Sequence, residues 1–365
     1  MFNIVSTEKE WRKELTAFKG YDFYHTWDYH DISRQNGEGE PVLFVYKSET
    51  CSICWPLLLR TFKAGNRQWR DLTSAYGYPG PLAKGVISTA DESKWRHHII
   101  RWCHDQRIVS IFSRLNPLVG HDPILEELGE TRTIGTTIPI DLRVPLDEQR
   151  TKFRASLKRG INKLTRMGSI CREVEPLDHL EDFITIYEET MRFRNAKDQF
   201  FFSREYYRRI VTARDFETKM YGVFMDGRMV CTGIFIFTET IVQYHLGGTL
   251  PSFYSYSPSK LLYDKVRIDA TAKGAEWFML GGGLGGNNDP LLYFKSGFSD
   301  LTMPYRVANI IVDPAAYGYL ERLAIASARK TGDTLDPGFF PSYRSVPGVA
   351  VDQWYSTARP LPVDA

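Results

Sequence analysis

The sequence predicts a mixed α/β protein of two domains, on three observations. The chain has 365 residues, against roughly 100–200 for a typical domain. Its balance of 43% hydrophobic, 14% aromatic and 25% charged residues suits a globular chain with ample core. Residues 241–298 then read strand, helix, strand, glycine-rich turn and short helix, which is a βαβ crossover running into a turn.

The elements follow in order. Residues 7–19 and 26–35 read as helices. Residues 41–47 and 52–62 are rich in Val, Ile, Phe and Leu and read as strands. Residues 73–81 alternate Gly and Pro with Tyr and form a loop. A helix over 91–106, a strand over 109–114 and a strand over 136–142 precede Pro145, which marks a domain boundary. One helix is predicted over 146–167, with Phe153, Leu157, Ile161 and Leu164 as its apolar stripe. Helices over 178–196 and after 203 follow. Asp226-Gly227 is a hairpin turn between strands. The expected organisation is therefore 1–145, 146–330 and an irregular, proline-rich tail, 331–365.

The net charge is +2, so the whole chain is no general polyanion binder, and DNA is not expected as a partner. Local charge differs. Between Arg150 and Arg172 stand eight Lys or Arg and no Asp or Glu. Such a run is commonly a solvated face, yet it repels itself, and an anion such as phosphate, diphosphate or nucleic acid would relieve that repulsion. No run of about 18 apolar residues exists, so no transmembrane segment is expected. The first residues lack a basic stretch leading into an apolar one, so no secretory signal is expected either. An odd count of five cysteines suits a reducing compartment. The expected location is cytoplasmic, free or peripheral at the inner membrane face. Cys51 and Cys54 form a CxxC without a second ligand pair, so no metal site is expected.

Within the central stretch, Ser257-Pro258 reads as a helix start, serine at the N-cap and proline at N1. Gly274 reads as the stop after that helix. The helix start lies at the carboxyl end of the preceding strand, beside Gly247, Gly248 and Tyr256, where free N–H groups can hold an anion. The run 281–286 satisfies GxGxxG, but the following helix is too short for a dinucleotide fold. The glycines instead allow a sharp turn, and Asp289-Pro290 caps the short helix. That helix ends in Phe294-Lys295 before Gly297 and Phe298. A lysine held there can stabilise an oxyanion or grip a phosphate; the alternative is an ordinary exposed lysine. His245 ends a strand beside the glycine pair. It is either structural or a general base, and Asp289 is the other candidate base.

These segments resemble the GNAT superfamily. The resemblance is closer to its Fem-like branch, the aminoacyl-tRNA-dependent peptidyl transferases and their acetyltransferase relatives. Residues 110–117 (SIFSRLNP) resemble that branch's strand ending in an Arg-x-Asp/Asn-Pro turn. Residues 137–142 with 153–168 resemble the strand and basic helix that open its second domain. Residues 203–207 (SREYY) resemble a segment that contacts the acceptor, and Phe294-Lys295 resembles its Phe-Lys pair. A lysine that the branch carries in its first domain is Ser33 here.

The resemblance implies two tandem GNAT-like acyltransferase domains and an enzyme of the EC 2.3 class. It implies transfer of an acyl or aminoacyl group to an amine of a cell-envelope sugar or peptidoglycan precursor by direct attack. Lys295, Phe294, His245 and Asp289 would serve catalysis. Tyr76, Tyr78, Arg154, Lys158, Arg194, Arg204, Tyr206, Gly247, Gly248, Tyr256 and Ser257 would bind substrates. No permanently bound cofactor is expected; acyl-CoA or aminoacyl-tRNA would be the co-substrate. The expected partners are a small or lipid-linked saccharide acceptor and a tRNA or acyl carrier protein. A plain acyl-CoA- or acyl-carrier-dependent N-acetyltransferase on another small amine, or a non-catalytic binding protein, are the competing readings.

Overall fold

The computed structural model describes residues 1–346 and the strand Val351–Asp352. In chain order the elements are β1 (Phe2–Val5), α1 (Glu8–Leu15), α2 (Trp27–Gln35), β2 (Glu40–Lys47), β3 (Cys51–Ala64), β4 (Arg67–Thr73), β5 (Leu82–Gly85), α3 (Thr89–Asp105) and β6 (Ile108–Arg114). There follow β7 (Glu130–Asp141), α4 (Leu146–Thr151), α5 (Ala155–Arg166), β8 (Ile170–Val174), α6 (Leu180–Phe193), α7 (Arg204–Val211), β9 (Glu217–Met225), β10 (Arg228–Phe237) and β11 (Ile241–Thr249). The chain continues with α8 (Ser259–Ala272), β12 (Trp277–Gly282), α9 (Pro290–Lys295), β13 (Met303–Ile311), α10 (Pro314–Thr331) and β14 (Val351–Asp352). Two compact units result. The first holds Met1–Phe18, Tyr24–Thr133 and the chain from Arg306; the second holds Lys19–Phe23 and Ile134–Tyr305.

This division differs from the expected one. The break falls after Thr133 rather than at Pro145, and the chain from Arg306 returns to the first unit. The cause is long-range pairing. β13 runs antiparallel to β6, Val307 opposite Arg114 through Ile311 opposite Ser110. α10 then buries Leu320, Ala324 and Ala328 with Phe62 and Val109. The tail is not wholly irregular either. Tyr343 is fully buried, bonded to Ser110 (2.8 Å) and to the buried carboxylate of Asp71 (2.9 Å). Asp71 also accepts from Arg60 and Arg344, each at 2.7 Å. The remainder of the expected tail, 347–350 and 353–365, lies outside the described residues.

The first unit orders its strands β1-β2-β3-β4-β6-β13, with β5 and β14 also on β3. Cys51 and Cys54 are buried apolar side chains of β3. The second unit orders its strands β7-β12-β11-β10-β9-β8. Asp226 (φ 50°) and Gly227 (φ 78°) make the β9–β10 hairpin turn, both left-handed as a type I′ turn requires. α5 and α8 cover one face of this sheet. Leu157, Ile161 and Leu164 meet Leu262, Val266 and Ala270 over Tyr221, Val223, Phe235 and Phe278.

The single helix expected over 146–167 is two. Arg154 is extended (ψ 139°) and its N–H bonds to the Gly297 carbonyl (2.8 Å), so the chain leaves the helix there. The basic run is also less free than its charge suggests. Arg150 pairs with Asp264, which also holds the buried Arg267, and Lys152 pairs with Asp300.

Candidate functional site

The site of the second unit forms where two parallel strands part. β11 and β12 are paired only from Ile241 opposite Trp277 to Gln243 opposite Met279. Beyond that, β11 stays with β10, and β12 shifts register to reach Thr137 of β7 at Gly282. Gln243 is buried at the fork, and its amide donates to Asp22 Oδ2 at 2.6 Å. Opposite β10, Ile234 faces Leu246 and Phe235 faces Tyr244, so His245 is the extra residue of a β-bulge. The bulge reverses which side chains face which helix. Tyr244 packs toward α8, against Tyr263 (ring centroids 5.0 Å). Gly248 lies against α6, where a Cβ would stand 2.6 Å from Thr190 Oγ1.

Lys295 ends α9 and turns back over the mouth of the fork. It is buried (6% exposed), and Nζ donates to the Gly282 carbonyl at 2.7 Å. Nζ lies 6.0 Å from the Tyr244 ring centroid. Burial lowers its pKa to about 8, partly offset by the charge of Asp289. Asp289 caps α9: Oδ1 accepts from the Leu292 N–H (2.8 Å) and Oδ2 from the Leu284 N–H (2.7 Å). Burial alone would raise its pKa, but these bonds and Lys295 hold it below the usual value. The glycine run closes this loop. At Gly283 a Cβ would sit 2.1 Å from the Asn287 carbonyl, and Gly281, Gly285 and Gly286 have positive φ.

Other expected residues have distinct places. Phe294 packs edge-on to Tyr263 and Phe298, anchoring the helix that carries Lys295. Arg154 stacks on Tyr293 (3.8 Å) and donates to Ser296 Oγ and the Tyr293 carbonyl, fixing the same helix. Lys158 Nζ reaches the Thr151 carbonyl at 3.5 Å. His245 Nε2 shares a hydrogen bond with the Tyr206 hydroxyl (2.9 Å), and its ring meets Phe23 edge-on. Burial pushes its pKa down to about 3. A neutral imidazole of that basicity is a weak acceptor for an ammonium proton.

Arg194 lies over Tyr254 (5.0 Å), Arg204 pairs with Glu181, and Tyr256 is exposed. At Gly247 a Cβ would stand 2.7 Å from the Tyr244 hydroxyl, so the glycine pair answers to packing on both faces. Ser257 does not cap α8. It is left-handed (φ 53°), its hydroxyl bonds back to the Tyr254 carbonyl, and the helix starts one residue later behind Pro258. Sequence reasoning missed Gly282, Tyr244 and Gln243. Their signal was position: they line the carboxyl ends of a parallel pair, where open α/β sheets bind ligands.

The first unit repeats strand, helix and parallel strand with β4, α3 and β6. There the strands stay joined past their ends. Ser74 N–H donates to the Phe112 carbonyl, Arg114 N–H to Ser74 Oγ, and Gly80 N–H to the Arg114 carbonyl. The start of α3 is filled by its own capping box, with Ser88 and Asp91 exchanging bonds. Hydrogen bonds from Ser88 and Tyr46 lower the Asp91 pKa to about 2. Tyr76 and Tyr78 sit in the joining loop. Tyr76 is exposed and lies on Arg114 (5.5 Å); Tyr78 meets Tyr24 edge-on. The open fork therefore belongs to the second unit.

The sequence model of the acetyltransferase (GNAT) domain matches residues 151–294, all within that unit. This match and the forked βαβ core make the protein an acyltransferase carrying a GNAT domain. Among solved structures, the crystal structure of FemX shares the fold. The TM-score is 0.68 at 11% identity, over 87% of this chain and 99% of that one. L-PGS from Bacillus licheniformis has a TM-score of 0.53 at 13% identity, over 87% and 97%. The C-terminal domain (DUF2156) of a candidate lysylphosphatidylglycerol synthetase from Agrobacterium fabrum has a TM-score of 0.51 at 14% identity, over 89% and 97%. At these identities the likeness is one of fold. No curated protein matches by sequence.

Proposed function

We propose that the protein transfers an acyl or aminoacyl group to the amine of a cell-envelope sugar or peptidoglycan precursor. The carrying observation is Lys295: a buried ammonium at the mouth of the forked strands, on a helix fixed by Asp289 and Arg154. The amine nitrogen attacks the donor carbonyl carbon, so a C–N bond forms and the carbonyl becomes an oxyanion that Lys295 stabilises. Collapse breaks the C–O or C–S bond, and the leaving oxygen or sulfur takes the proton released by the nitrogen. No covalent enzyme intermediate is required. The amine attacks in its neutral form, because His245 is too weak a base and Asp289 is spent on its cap. In this reading His245 and Tyr206 shape the wall that receives the acceptor.

The names FemX and lysylphosphatidylglycerol synthetase support an aminoacyl donor and an envelope acceptor. The GNAT domain match favours acyl-CoA as the second reading of the donor. The test is a donor screen of acyl-CoAs against charged tRNAs, with products identified by mass spectrometry. Transfer only from acyl-CoA to a soluble small amine sinks the aminoacyl and envelope assignments; no transfer from any donor, with intact fold, sinks the enzymatic reading of Lys295.

A further inference from the structure

The second unit gathers exposed apolar side chains at the end of its sheet where the fork opens. The pairing defines that end. Ile170 opens β8 opposite Phe224, Phe224 stands opposite Met229, and Cys231 stands opposite Thr249 at the close of β11. Four strands at about 4.8 Å spacing make this row about 15 Å wide. On one flank Ile170 is 60% exposed, and Met167, at the end of α5, is 45% exposed. On the other flank Phe193, in the last turn of α6, is 56% exposed, and Tyr256, just after β11, is 40% exposed. Phe193 belongs to this end because Thr190, one turn earlier, bonds to Thr249 (3.0 Å), and its ring meets Tyr254 at 4.9 Å.

The charge around these groups has one dominant sign. No Asp or Glu occurs between Arg150 and Arg172. Lys163 and Arg166 are exposed on the last turns of α5 beside Met167, and neither has a carboxylate partner among the described residues. Lys260, at the start of α8, lies against Gly160 of α5, where its Nζ would stand 3.1 Å from an added Cβ, so it adds to the same face.

We propose that this end of the second unit docks on an anionic lipid bilayer. Met167, Ile170, Phe193 and Tyr256 enter the interfacial layer, while Lys163, Arg166 and Lys260 lie among the headgroups. Charge complementarity selects this occupant. Met167 and Ile170, unlike Phe193 and Tyr256, offer no stacking surface for a base, and mixed aliphatic and aromatic tips beside cations are the composition of an interfacial membrane contact. The inference deepens the proposed function by making the acceptor a bilayer-resident molecule presented to the fork.

The test is co-sedimentation of the full chain with vesicles of phosphatidylglycerol and phosphatidylcholine, without donor or acceptor. Binding is expected to mixed vesicles, to weaken with salt, and to be absent with phosphatidylcholine alone. Lys163→Ala with Arg166→Ala should weaken it about 30-fold, since each cation near an anionic surface changes binding about fivefold. Met167→Ser with Ile170→Ser should abolish sedimentation while circular dichroism stays that of the parent. No sedimentation of the parent protein overturns the proposal. So does binding indifferent to the Met167 and Ile170 changes, as does tRNA retention that the apolar pair supports equally. Lys295→Met should bind vesicles normally, so loss of transfer and loss of docking are read separately.

Discussion

Replacing Lys295 by Met separates chemistry from stability. The side chain is buried, with a pKa of about 8 against 10.5 for a free lysine. That difference puts about 3 kcal/mol against the charged form in the folded state. Met fills the same volume without the charge. It forfeits the bond to the Gly282 carbonyl, a loss of about 1–2 kcal/mol. Stability at pH 7 should therefore be unchanged or rise by up to about 2 kcal/mol. The linkage has a definite sign. Between pH 8 and 10.5 the folded wild type binds fewer protons than the unfolded chain, so its stability climbs with pH, and Lys295→Met should lose that climb. Transfer should fall about 10²- to 10³-fold, the cost of losing one oxyanion donor. Wild-type transfer should also decline above about pH 8 as the ammonium deprotonates. Single-turnover transfer beside urea denaturation reads both. Transfer within threefold of wild type, at equal stability, refutes the assigned role.

Further outcomes concern other parts of the chain. Asp71→Ala strands Arg60 and Arg344 without their buried carboxylate and should cost about 3–5 kcal/mol, read as an earlier urea transition of the first unit. Gly77→Ala places a Cβ 2.0 Å from the Tyr24 ring at φ +98°; a loss of about 2 kcal/mol or more is expected, and an unchanged midpoint would contradict the packing described. Burial holds His30 neutral, with a pKa near 4. The unfolded chain binds the extra proton first, so stability should fall as pH drops from about 6.5 towards 4, by about 3 kcal/mol; His30→Gln should flatten that slope in acid titrations followed by fluorescence. Tyr206→Phe removes the hydroxyl bonded to His245 and should raise the acceptor KM with little change in stability, which a KM-against-kcat comparison will show.

What was legible in the sequence was local. Asp226-Gly227 names its own turn, the stripe Phe153, Leu157, Ile161 and Leu164 is buried as its spacing predicts, and Asp289-Pro290 caps α9. What was not legible depended on distant partners. The break at Arg154 is made by the Gly297 carbonyl, 143 residues on by number. The return of β13 and α10 to the first unit follows from pairing with β6. His245 stood open in the sequence between a structural residue and a base; the bulge and the Tyr206 hydroxyl, which set its environment, are invisible in sequence. Ser257 looked like a cap because Pro258 follows it, but the preceding turn carries it into a left-handed conformation. For Lys295 the place at the end of a short capped helix was legible and its burial was not.

The two strand pairs, one parted and one joined, also differ in what they leave open to a ligand. In the second unit the strands part without a joining loop to consume their main-chain groups, which every residue type carries, so a ligand held there would depend little on side-chain identity. In the first unit the loop after β4 has consumed those groups, and Asp91 already occupies the start of α3. A ligand of the first unit would therefore meet side chains such as Tyr76 and Arg114 rather than main-chain groups.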